Sequence, residues 1–181
     1  MSNFRNIATS GGHFGHPWIA FEAIWSHEPN IIGKAIARIA FGLLAKTTAE
    51  EIWNQTAGSI NGFTCAVGTG GTLSGVSKFL KTKNKNIKVF LSDPFGSGLF
   101  NHYQNGEMKA EGNSITEGIG QGRITKNLEN CPIDLSFRIH DNEALKIIFD
   151  LLKEEGLFLG GSSGINVAGA IQLAKEMGPN N

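Results

Sequence analysis

The 181-residue sequence has little of what would place it in several common classes. It has no excess of charge: Lys plus Arg is 16 and Asp plus Glu is 16. A net basic field that would gather nucleic acid or anionic membrane is therefore absent. It has two cysteines, Cys65 and Cys131, far apart and in no Cys-x-x-Cys pair, which supports neither a disulfide scaffold nor a zinc knuckle. His13 and His16 lie three apart, without an acidic or thiol neighbour to complete a metal site. No apolar run approaches the ~18 residues of a membrane span, and residues 18–25 contain Glu22 and follow no basic segment, unlike a signal peptide. With no targeting segment in view, the default compartment is the reducing cytoplasm.

What is abundant is glycine, 24 residues, beside a hydrophobic fraction of 40%. That composition describes a globular chain with tight turns and places where backbone approaches something closely. Residues 1–16 carry no sustained period. Ile32, Ala35, Ile36, Ile39, Ala40 and Leu43 recur at helical spacing. A helix is expected from Thr48, with Glu50 and Glu51 in its first turn and Gly58 just past its end.

Beyond Gly58 the pattern alternates. Phe63–Val67 and Ile87–Leu91 read as buried strands, and Leu135–Ile139 as a third. Leu73, Val76, Phe79 and Leu80 form one face of a helix. A short helix is expected over residues 98–104, an irregular connection over 106–134, and a helix capped by Asp141 that runs to Glu155 and stops at Gly156. A short strand at Leu157–Leu159 then leads through Gly160–Gly164 into a last helix over about residues 165–177. Strand and helix in alternation give an α/β fold of three layers, a mostly parallel sheet with helices on both faces. Such sheets hold ligands at the carboxyl ends of their strands, where Gly68–Thr72 and Gly160–Gly164 are both expected, on one edge.

Val67-Gly68-Thr69-Gly70-Gly71-Thr72 joins a strand to a helix. Its glycines allow backbone N–H groups to converge, and the helix adds its free amino-terminal N–H groups and the positive end of its dipole: a phosphate cradle. The dinucleotide fingerprint fails at Leu73, where a third glycine belongs, and the nucleoside-triphosphate loop fails at Val76, where lysine belongs. Spacing alone leaves a ligand-free tight turn open beside phosphate binding.

Glu51-Ile52-Trp53-Asn54-Gln55-Thr56, then Val67–Thr72 with Leu73-Ser74-Gly75-Val76, resembles the cysteine synthase (O-acetylserine sulfhydrylase) and cystathionine β-synthase family. The likeness continues through Asp93-Pro94 with Gly96-Ser97 and through Glu117-Gly118-Ile119-Gly120. It ends with Glu154-Glu155-Gly156-Leu157 leading into Gly160-Gly161-Ser162-Ser163-Gly164. Four ordered motifs over residues 47 to about 179 are far more specific than any one of them. The resemblance implies the fold type II of pyridoxal 5′-phosphate enzymes, with Gly68, Thr69, Gly70, Gly71 and Thr72 around the cofactor's phosphate. It implies that Ser162 hydrogen-bonds the pyridine nitrogen, although a serine there is also an ordinary helix N-cap. A hydroxyl leaves that nitrogen largely unprotonated, which suits β-elimination and β-replacement. Glu117–Gly120 matches a mobile loop at the family's active-site mouth. The implied reaction makes L-cysteine from O-acetylserine (or serine) and sulfide, and the implied assembly is a homodimer.

The family's Schiff-base lysine segment and its loop for the substrate carboxylate have no counterpart in the sequence. Residues 30–40 echo the lysine segment faintly, with Lys34 two positions early and Ile36 in the lysine's place. Asn3–Ala8 and His13-Phe14 instead resemble the family stretch that runs directly into Thr47–Trp53. On that placement 1–46 is an amino-terminal segment in which 15–46 is foreign to the family, and 47–181 is a partial cofactor-binding domain. The fold is then incomplete, and the chain alone is expected to make no cysteine. A non-catalytic relative that binds the cofactor, phosphate or a partner is the alternative.

Overall fold

The computed structural model describes residues 7–9 and 47–179. The helical pattern at 32–43, His13, His16, Lys34 and the expected insertion 15–46 lie outside those residues.

Four strands form one sheet in the order β1 (Ile7–Thr9), β2 (Gly62–Cys65), β3 (Lys88–Pro94) and β4 (Leu135–Ile139). Every pairing is parallel, with Ile7 opposite Gly62, Phe63 opposite Val89, and Asp93 opposite Arg138. Five helices accompany them: α1 (Thr48–Gln55), α2 (Gly71–Lys83), α3 (Leu99–Asn105), α4 (Asp141–Glu155) and α5 (Gly161–Met177).

Alternation along the strands divides the layers. Phe63 and Cys65 of β2, with Val89 and Leu91 of β3, share a core with Ala49, Leu73, Val76, Leu80 and Leu99 from α1, α2 and α3. Each large aliphatic side chain sealed there contributes about 2 kcal/mol through lost apolar surface. Thr64 and Ser92 face the other way and hydrogen-bond to each other at 2.7 Å, fully buried. Gly169 of α5 lies directly over that pair: a Cβ on it would overlap Ser92 Oγ and stand 2.7 Å from Ser92 Cβ. The missing side chain lets α5 lie against the sheet. A second core joins Ile139, Ala144, Ile165 and Ala168 from β4, α4 and α5.

The expected α/β architecture with a parallel sheet and helices on both faces is the one observed. Three details differ. No strand forms at Leu157–Leu159, where Leu157 and Phe158 are 44% and 88% exposed. Three residues without a neighbouring strand have no ladder to join, and apolar identity alone does not create one. The last helix starts at Gly161, four residues early, inside the glycine-serine run. Asp141 is not the N-cap of α4; His140 is, and no side chain caps the helix. The Asp141 carboxylate is taken instead by Ser114 Oγ at 2.6 Å and the Ile115 N–H at 2.8 Å. Strand β1 is a finding of the structure: three residues are too few to show a period.

Candidate functional site

The carboxyl ends of the strands, Thr9, Cys65, Pro94 and Ile139, define one edge of the sheet. The backbone leaves β2 at Cys65 and enters α2 at Gly71, and the loop between is shaped by what holds its carbonyls. The Val67 carbonyl accepts the Gly120 N–H at 2.8 Å. The Thr69 carbonyl accepts Thr125 Oγ1 at 2.7 Å and Asn127 Nδ2 at 3.2 Å. In a peptide unit the C=O and N–H point opposite ways. Anchoring the Thr69 carbonyl to the 120–128 strap therefore turns the Gly70 N–H away from the strap.

Gly70 is the N-cap of α2 with φ +83°, a left-handed conformation that disfavours a Cβ; a side chain there would also meet Leu128 at 2.7 Å. Gly68, Gly70 and Gly71 are buried, and no side chain caps α2. A buried helix start without a capping side chain leaves its first N–H groups to another acceptor. That is the donor set an anion such as a phosphate monoester needs, and the residues present fit one.

The second glycine-rich run lies on the same edge. Gly160 is the N-cap of α5, again without a side-chain cap, so Ser162 sits inside the first turn and is not the N-cap. Ser162 is half-buried. One contact ties this helix to the α2 loop, and a second, within the helix, carries the tie to Ser162. Asn166 Oδ1 accepts the Ala66 N–H at 2.7 Å, and Asn166 Nδ2 donates to the Ser162 carbonyl at 3.0 Å. A Cβ on Gly161 would stand 3.3 Å from Thr116 Cγ2. The Glu117–Gly120 segment thus runs from beside the start of α5 to the Val67 carbonyl. All the residues expected at the site, Gly68 to Thr72 and Ser162, belong to this edge.

The loop after β3 supports the strap. Ser97 Oγ donates to the Gln121 carbonyl at 3.0 Å and accepts the Gln121 N–H at 2.9 Å, and the Gly98 N–H returns to the Gln121 carbonyl. Behind it, Asp93 is fully buried. Its Oδ2 accepts the Phe100 N–H at 2.8 Å, while Oδ1 has no hydrogen-bond partner. Burial pushes its carboxyl up to about 6, outweighing the Phe100 N–H bond, the nearby Ser97 hydroxyl and the field of Arg138. Arg138 packs over the rings of Phe95 and Phe100 and bonds Glu111 and Asn101.

Sequence reasoning found the two glycine runs but not Thr125, Asn127 or Asn166, which hold them. Asn166 had a signal: a polar residue four positions after Ser162, on the same helix face, and the one polar side chain between Ile165 and Ile171.

The sequence pattern of the pyridoxal-phosphate-dependent enzymes matches residues 37–181. The chain belongs to that family. Cysteine synthase 1 of Neurospora crassa is 42% identical over 161 residues, covering 86% of this chain and 41% of the relative. The cysteine synthase of Dictyostelium discoideum is 42% identical over 142 residues, 73% of this chain and 38% of the relative. Among solved structures, the O-acetylserine-dependent cystathionine β-synthase of Helicobacter pylori superposes with a TM-score of 0.67 at 30% identity. It covers 76% of this chain and 42% of that one. A hydrogen sulfide-producing enzyme from Fusobacterium nucleatum gives 0.66 at 29%. The fold is that of the fold type II enzymes, and the family's cofactor is pyridoxal 5′-phosphate. The chain spans about two-fifths of the length of the curated relatives it matches. Among the described residues, no helix is long and apolar enough to cross a membrane, and no group of three or more metal-ligating side chains occurs. The two cysteines form no disulfide.

Proposed function

We propose that these residues form the phosphate- and ring-nitrogen-binding half of a cysteine synthase-type active site. The backbone N–H groups of Gly68–Thr72 take the phosphate of pyridoxal 5′-phosphate, and the Ser162 hydroxyl meets the pyridine nitrogen. The observation that carries the reading is the buried, uncapped start of α2, whose loop carbonyls are anchored behind it by Gly120, Thr125 and Asn127. When bound, the cofactor supplies a conjugated ring that accepts electrons from the substrate's α-carbon.

The chain's own groups orient that ring. The cradle fixes one end, the serine fixes the other without transferring a proton, and Glu117–Gly120 borders the entrance. The proposed overall reaction is replacement of the acetate of O-acetylserine by sulfide to give L-cysteine, in a homodimer as the family implies. It requires the lysine and the carboxylate-binding loop, for which these residues have no counterpart. The residues alone therefore bind cofactor without turnover.

The test is to purify the chain and compare binding of pyridoxal 5′-phosphate with that of pyridoxal, which lacks the phosphate. O-acetylserine and sulfide are then added, and cysteine is measured. Binding that depends on the phosphate, with no cysteine formed and no lysine trapped by borohydride, supports the reading. Equal binding of both compounds removes the cradle from it. Robust cysteine formation, or specific labelling of Lys34, overturns the assignment of a non-catalytic half.

A further inference from the structure

We infer that Asn166 is a positioning residue that sets the separation between the Gly68–Thr72 cradle and Ser162; the inference rests on the function proposed above. Asn166 is 6% exposed and lies one helical turn after Ser162. Its single amide spans the two ends of the site. Oδ1 accepts the N–H of Ala66, two residues before Gly68, and Nδ2 donates to the Ser162 carbonyl. The pairing of β2 with β3 ends at Cys65 opposite Leu91, so Ala66 is the first residue beyond that ladder. The side chain does there what a further strand would do, and ties the strand end to α5 across 100 residues of sequence.

The chemistry of the bridge is selective. It needs one acceptor and one donor on a short planar group. Aspartate keeps the acceptor but has no donor for the Ser162 carbonyl. Leucine has neither, and glutamine is a methylene longer. The bridge carries no ionisable group. Every partner in it is a protein group, so the bridge itself sets the spacing of cradle and serine.

A rigid ligand with its phosphate at one end and its ring nitrogen at the other must satisfy both groups together, whereas inorganic phosphate meets the cradle alone. A displacement of about 1 Å between the two ends is enough to lose a jointly held ligand. Asn166 is thereby distinguished from a residue that only stabilises the fold: its loss separates the two ligands.

The experiment measures dissociation constants of pyridoxal 5′-phosphate and of inorganic phosphate for the full chain, Asn166→Asp and Asn166→Leu, with circular dichroism to follow folding. Affinity for pyridoxal 5′-phosphate is expected to fall about tenfold or more in both variants, with phosphate affinity within about twofold of the parent. Ser162→Ala should then add little in the Asn166→Leu background. Parallel loss of both ligands, or no loss of either, overturns the inference and leaves the proposed function standing. Failure of the unaltered chain to bind either ligand overturns both. Hydrogen exchange on the unaltered chain, free of ligand, needs no variant to fold. The Ala66 amide should be protected as the β2 amides are, and exchange at the rate of an open loop contradicts the bridge.

Discussion

The two glycine-rich helix starts on the sheet edge are built differently. The start of α2 is enclosed: its glycines are buried, its carbonyls are bound by the 120–128 strap, and Leu128 closes against Gly70. The start of α5 is more open at its first residues, although Gly164 lies close against Ala144 and Ile148 of α4. Asn166 and Thr116 touch it, while a Cβ on Gly160 would meet nothing within 4 Å, and the residues leading in, Leu157 and Phe158, are exposed. The anion site proposed there would be made from backbone and needs only its own loop and strap, both among the described residues. A hydroxyl that must meet a ring nitrogen depends on how a whole helix is seated, here by Gly169 over Thr64 and Ser92 and by Ile165 and Ala168 in the second core.

The comparison breaks most severely if α5 is lifted. Gly169→Ala drives a Cβ into Ser92, whose own Cβ is too close to yield. A loss of about 3 kcal/mol is expected, as for an overpacked core. It would be read as a lowered denaturant midpoint, and near-parent stability would mean that α5 is not seated as described.

Next comes the solid side of the edge. Asp93 has an ordinary value of 3.8 and is raised to about 6 when folded, so the folded state holds the proton longer. Its contribution is therefore most favourable below 3.8, declines as pH rises through the interval, and levels off above about 6. The span corresponds to about 3 kcal/mol at most. Asp93→Asn should remove this decline in stability measured by urea melts between about pH 4 and 7. An unchanged pH profile would assign the decline to other groups.

The two glycine starts are then compared directly. Gly70→Ala sets a Cβ at φ +83° against Leu128 and should cost about 2 kcal/mol while weakening phosphate binding. Gly160→Ala, at φ −82° in open space, should stay within about 0.5 kcal/mol. Equal effects would erase the distinction. The smallest effect belongs to Phe158→Ser. Its ring is 88% exposed, so thermal stability should change by less than about 0.5 kcal/mol, while solubility improves because an apolar surface is removed. A large loss of stability would show that the ring is packed.

Much of this was readable in the sequence because glycine and apolar spacing are local signals. The strands at 62–65, 88–94 and 135–139 follow from short apolar runs between turn residues, and the glycine turn into α2 follows from three glycines ahead of a helical face. Long-range partners were not readable. Nothing near Thr125 or Asn127 announces that they bind a carbonyl more than 50 residues earlier. Asp141 has the composition of an N-cap, yet its carboxylate is captured by Ser114 and Ile115, because tertiary contact overrides local preference. The segment 157–159 has the residues of a strand but pairs with none of the described strands.

The central claim is that the cofactor's phosphate rests on the backbone amides at the start of α2. Titration of the isotope-labelled chain with pyridoxal 5′-phosphate, followed amide by amide in nuclear magnetic resonance spectra, tests it most directly. The account expects saturable shifts centred on Gly70, Gly71 and Thr72, reproduced by inorganic phosphate and not by pyridoxal. Saturable binding that leaves those three amides unmoved would contradict it.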